Sequence, residues 1–314
     1  MKTRHSGQHT RDCYGVFHSG FAAVLLNVCM ALCAVAETTD GVLRIETEVF
    51  VGSQKEPVAH SLTLFANGVA WDFLAHPDEI ALHDPARERV VLIDPERNVK
   101  TEITTLRLER LSVSLASWAR KADDRLVRWA GGPDFGNDIQ ETNETIELSG
   151  PRARYLVAFE QAPSAESAGA YRRFADTALL VRALVHPGGL PPFPRLAINR
   201  RVATAGGIPS EVTLEVDPKV AMLLGRPDVM RSVHKIHPRL LESDYKRIKN
   251  AETRIGVAKS VDLAEFATPP ESSETNTDPA EKVAPSETAS YKKAITADSS
   301  RGSSHSDEAN DLDE

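Results

Sequence analysis

Cysteine is almost missing from this chain. There are three, and Cys13, Cys29 and Cys33 all precede residue 37. The rest of the sequence has no thiol with which to build a disulfide framework, attack a substrate or ligate a metal. Its stability has to come from a buried core. Long apolar runs are nearly as scarce. The main one, Gly20 to Ala36, follows Lys2, Arg4 and Arg11 and ends in Ala34-Val35-Ala36, the small-x-small pattern of a cleavable export signal. It falls short of the roughly 20 residues that cross a bilayer and is interrupted by Asn27, which disfavours a transmembrane anchor. Acylation is also disfavoured, because Leu32 precedes Cys33 and Val28 precedes Cys29. We expect residues 1–36 to be a signal peptide cleaved after Ala36, and the protein to be periplasmic or secreted with no transmembrane segment in its mature chain.

A basic excess is lacking too. The net charge is −8, and the tail from Thr268 carries eleven acidic against four basic residues. Residues 37–267 are therefore close to neutral, without the clustered Lys and Arg that nucleic acid requires. The tail, rich in Ser, Thr, Pro and Glu, is too polar to offset the entropy cost of ordering and is expected to be disordered. Three segments follow: the leader, one domain over 37–267, and an acidic tail over 268–314.

Within the domain the hydrophobic period is first two, then mixed. Leu43, Ile45, Thr47, Val49 and Val51 alternate with charged residues as in a half-buried strand. Asn67-Gly68 separates Ser61–Phe65 from Val69–Phe73, the strongest hairpin signal in the chain. Asp84-Pro85 and Asp94-Pro95 mark two further turns. An antiparallel meander of five or six strands follows from these spacings. Leu108, Leu111, Leu115, Trp118, Ala122, Leu126 and Trp129 then recur at three and four, predicting a single long helix. Asp134 to Asn143 reads as a loop, and Glu144–Leu148 and Arg152–Glu160 as strands. A second helix is predicted after Ser164, with Tyr171, Phe174, Ala178, Val181 and Val185 as its apolar stripe. Arg195–Ala203 and Ser210–Val216 read as a hairpin, and a last helix after Pro238 would turn Leu241, Tyr245 and Ile248 inward. The fold class is α+β: a curved antiparallel sheet, a half-open barrel, packed against two or three helices.

The run L-F-A-N-G-V-A-W-D-F, the two D-P-x-R turns, the long helix and Gly207-Ile208-Pro209 before the strand Glu211–Val216 together resemble the periplasmic lipoprotein-carrier (LolA/LolB-like) superfamily over Val42–Val216. The resemblance implies a half-open barrel whose apolar concave face, lidded by helices, holds acyl chains. No position matches a specific acyl-binding residue of the family.

Catalytic signatures are absent: there is no nucleophile elbow, phosphate-binding Gly loop or H-E-x-x-H pair, and no cofactor is expected. The densest set of ligand-type residues is His76, Asp78, Glu79 and His83. It suits a metal-dependent hydrolase, but Glu79, Ala81 and His83 read more simply as the solvated face of a strand. His234 and His237 read as a surface pair before Pro238. Trp71 and Phe73 share a strand face, and Trp118 and Trp129 share the helix stripe, so a helix lying across the sheet would gather all four. They then form either an ordinary core or the lining of a cleft for a lipid or other apolar ligand. We expect a non-enzymatic exported protein, the other reading being an envelope module that contacts a protein partner through its outer face and tail.

Overall fold

The computed structural model describes residues 41–75, 78–132, 135–217, 219 and 228–268. The predicted leader and all of the predicted tail beyond Thr268 lie outside the described residues. The expected curved antiparallel sheet is present. It has twelve strands in the order β12-β6-β5-β4-β3-β2-β1-β11-β10-β9-β8-β7 and is open, not closed into a barrel.

Two meanders build it. The first runs β1 (Leu43–Val51), β2 (Ala59–Ala66), β3 (Val69–Leu74), β4 (Glu79–Asp84), β5 (Arg89–Asp94) and β6 (Val99–Thr104). The second runs β7 (Ile139–Glu141), β8 (Thr145–Gly150), β9 (Ala153–Gln161), β10 (Gly207–Val216) and β11 (Val229–His237). They join where β1 pairs with β11, Ile45 opposite Ile236 and Thr47 opposite His234. A two-residue strand, β12 (Lys259–Ser260), adds parallel to β6.

The turns are local chemistry. Asn67 and Gly68 both take positive φ, 54° and 76°, the geometry whose twist matches the flanking strands of a two-residue hairpin. Gly68→Ala should therefore cost about 1 kcal/mol, measurable by urea denaturation. The Asp84 side chain accepts from the Arg87 amide at 3.2 Å and the Asp94 side chain from the Arg97 amide at 2.8 Å, so both Asp-Pro repeats are capped turns.

Helices cover both faces. On the side we call inner lie α1 (Thr105–Arg120), α2 (Arg125–Ala130), α3 (Ala165–Val185) and α4 (Phe193–Thr204); on the outer side lies α5 (Glu242–Val257), and the short α6 (Leu263–Ala267) that follows returns Phe266 to the inner cluster. The N-terminus of α3 is capped as its sequence predicts, the Ser164 hydroxyl accepting from the Ser167 amide at 3.0 Å. From there α3 crosses the inner face. Its Tyr171 packs with Leu43, Ile45, Phe65 and Ile208, and its Val181 and Leu184 pack with Val90, Leu92 and Ile103.

Several expectations are corrected. The long helix is two, because the Asp124 carboxylate accepts from the amides of Leu126 and Val127 at 2.8 and 3.0 Å and starts a new N-terminus. The segment read as a loop before Asn143 contains β7. Arg195–Ala203 is not a strand but most of α4: Pro194 sits in its first turn, where a missing amide costs nothing, and Ile198 and Val202 fall four apart on its buried side. Tyr245 of α5 is exposed, and Ile248 with Ala251 fills the contact instead. His234 and His237 are not a surface pair: both lie on β11, three apart and so on opposite faces, with His237 exposed and His234 turned inward.

Candidate functional site

Pairing partners share a face, so the registers sort every strand residue to one side. Leu64, Trp71, Phe73, Ile80, Leu82, Val91 and Ile93 face outward beneath α5. Phe65, Ala70, Asp72, Glu79, Ala81, His83, Val90 and Leu92 face inward toward α1 and α3. Both sides of β2 to β5 are thus covered, and Glu79, Ala81 and His83 do not form the solvated face that alternation predicted.

This sorting separates the four expected ligand-binding aromatics. Trp71 is buried under α5, and Phe73 lies beneath the Arg247 guanidinium, 5.4 Å from its ring centre. Trp129 is on the opposite side, in α2, where its indole nitrogen donates to Asp138 at 3.0 Å and its ring meets Phe135 edge-on at 5.4 Å. Trp118 is half-buried in the last turns of α1. The sheet lies between the pairs, so no single cleft contains all four.

Of the proposed metal set, His76 lies outside the described residues. Asp78 is exposed, Glu79 and His83 stand four apart on the inner face of β4, and roughly 13 Å of strand separates their backbones. No group of three or more ligand-type side chains comes together among the described residues.

The inner face instead has a partly covered strip, called the chamber below, that the sequence did not announce. Its flanks are sealed: Val90, Leu92 and Ile103 beneath α1 and α3, and Ile146, Leu148 and Val157 beside α4, are almost fully buried. The central strands are not. Along β1 and β11, Ile45 is 1% exposed, but Thr47, Val49, Val51, Met230, Ser232 and His234 all keep exposed surface, as do Leu214 and Val216 of β10. A partly uncovered strip therefore runs along the middle of the sheet, between α3 and α4. On the far side of α3 a cavity of about 460 Å³ opens, floored by Phe65, Ala70, His83 and Val90 and walled by Phe174.

Polar groups collect at the closed end of the strip. Thr47 Oγ1 lies 3.0 Å from His234 Nδ1, and Ser232 Oγ lies 3.3 Å from Nε2. Burial, with the Arg195 charge nearby, pulls His234 down to about 3, so the imidazole is neutral at physiological pH. Burial alone pulls His83, packed 4.8 Å from the Phe174 ring, down to about 4. On the neighbouring strands Thr63 donates to the Asp72 carboxylate at 2.8 Å, but burial outweighs that bond and pushes Asp72 up to about 6. Glu79 is pushed up to about 7 by burial and by the Asp72 and Asp94 charges. From above, α4 contributes Arg195 and Asn199, and α3 contributes Tyr171 and Asp176; Asn199 donates to Asp176 at 2.8 Å. The Tyr171 and His234 rings are 6.5 Å apart.

No protein-family model matches the chain, and no curated protein matches it. Among solved structures it is similar to the crystal structure of a LolA superfamily protein from Nitrosomonas europaea. The two share 8% identity over 66% of this chain and 90% of that one, with a TM-score of 0.25.

Of the residues that shape the chamber, sequence reasoning placed Tyr171 on an apolar stripe and His234 on the surface, and it passed over Asp72 and Arg195. One signal was available. Asp72 interrupts the apolar run V-A-W-D-F on the alternation face opposite Trp71 and Phe73, where a carboxylate is out of place unless that face meets something polar.

Proposed function

We propose that this protein is an exported, non-enzymatic binding protein that holds an apolar ligand between the inner face of its sheet and helices α3 and α4. One observation carries the reading: the uncovered residues lie on the central strands. In a sheet packed only for stability the middle is the part buried first and the edges remain wet. Here the flanks are sealed and the middle leaves Val49, Val51, Met230 and Leu214 only half-buried, an arrangement that wastes apolar burial unless a ligand completes it. Export is supported by the sequence of residues 1–36, and no helix among the described residues is long and apolar enough to cross a membrane.

Native mass spectrometry of protein extracted gently from its own host tests this. The expected spectrum contains, beside the bare chain, adducts of lipid mass that disappear after organic delipidation. A bare mass under every extraction condition would remove the proposal.

A further inference from the structure

Arg195 is a half-buried cation above the strip whose inner guanidinium nitrogen is out of contact with solvent, and its surroundings leave it short of negative charge. Its Nη1 has no contact with solvent and no hydrogen-bond partner, and no carboxylate among the described residues forms an ion pair with it. The closest candidate, Asp176, is committed elsewhere: one oxygen accepts from Asn199 at 2.8 Å and the other lies 3.4 Å from Arg172 Nε. Arg195 also sits in the first turn of α4, where unpaired backbone amides and the helix dipole already concentrate positive charge. Burial pulls its guanidinium down, while Tyr171, Tyr155 and Asp176 act in the opposite direction. A charged nitrogen held out of water in this way is unfavourable unless a counter-ion completes it.

The missing group is a monoanion attached to something apolar. One guanidinium nitrogen is unsatisfied, and the Asp176 carboxyl is already near enough to act on the guanidinium, which disfavours a dianionic phosphate. Next to Arg195, Tyr171 and His234 offer polar ring edges, and beyond them the strip continues through Val49, Val51 and Met230 toward its open end. Resting on the chamber reading above, we propose that the ligand is a long-chain carboxylate, its head group paired with Arg195 beside Tyr171 and His234 and its alkyl chain lying along the β1–β11 strip. The head group and Arg195 neutralise each other out of water, which makes a charge-assisted contact strong.

The full chain is mixed with hexadecanoate, with 1-hexadecanol and with butyrate, and binding is read by native mass spectrometry. Hexadecanoate should bind at least about tenfold tighter than the alcohol, with butyrate undetected. In Arg195→Met the preference for acid over alcohol should fall to about one while alcohol binding is unchanged, and Arg195→Lys should keep part of it. Equal binding of acid and alcohol to the wild type would overturn the head-group assignment and leave the apolar chamber standing. Butyrate binding as tightly as hexadecanoate would make this a free-anion site and overturn it as well. If neither long-chain compound binds, the chamber reading falls and this one with it. The wild-type comparison and Arg195→Lys decide the matter even if Arg195→Met does not fold.

Discussion

Replacing Asp72 by Asn should stabilise the protein by about 3 kcal/mol above pH 7 and by almost nothing near pH 3, measured by denaturant melts across that range. The sign follows from the direction of the shift. Burial raises Asp72 from 3.8 to about 6, so the folded state holds its proton longer than the unfolded state does. Below the unfolded value both states are protonated and the group contributes nothing. As pH rises from about 4 to 6 the unfolded chain ionises first, stability falls, and above about 6 the full penalty is in place. Asn keeps an oxygen to accept from Thr63 but has no charge to desolvate, so it removes the penalty only where the penalty exists. The difference between variant and wild type is the quantity to read, because His83 and His234 act in the opposite sense. Their folded values are depressed to about 4 and about 3, so they cost stability as pH falls below their ordinary 6.5. In the wild type alone the two trends partly cancel between pH 4 and pH 6; in the difference the histidines drop out. Glu79 adds to the gain, since Asp72 is the second cause of its upward shift. An equal gain at low and high pH would mean that Asp72 is not desolvated, and the chamber would have to be wetter than its geometry shows.

The second large effect lies on the other side of the sheet. Leu64 is completely buried between Trp71 and the α5 residues Ile248 and Ala251. Leu64→Ala should cost about 3 kcal/mol through lost burial and the cavity left behind, lowering the melting temperature by roughly 6–12 °C. A loss below about 1 kcal/mol would mean that α5 does not seal this face. The same residue on a one-sided sheet would be solvent-facing, because Thr63 and Phe65 occupy the inner face. The measurement therefore tests whether β2 to β5 form a true middle layer, with α3 on one side and α5 on the other.

That layering is why simple alternation does not describe every strand. Alternation assigned one wet and one dry face to each, and β1 fits this well, with Leu43 and Ile45 buried and Glu46 and Glu48 on the outer side. It fails for β4, where Ile80 and Leu82 are buried under α5 while Ala81 and His83 are equally buried under α3. A histidine in such a strand looks polar in sequence and is a neutral core residue in the fold. The four aromatics were gathered by the same assumption, that only one face of the sheet could carry a helix.

Much of what neighbours a few residues apart set, though not the equally local Asp124 cap, was legible in the sequence: the Asn67-Gly68 hairpin, the two capped Asp-Pro turns, the Ser164 cap and the consecutive pairing of β1 to β6. Each rests on backbone angles or hydrogen bonds that near neighbours alone decide. Only the tertiary structure decided that β1 pairs with β11 across 187 residues, that Arg195 lies in a helix above that junction, and that Tyr171 and His234 meet beneath it. Those outcomes depend on which surfaces remain uncovered once every helix has docked. That competition for burial is settled by the whole chain at once, so no local pattern records it.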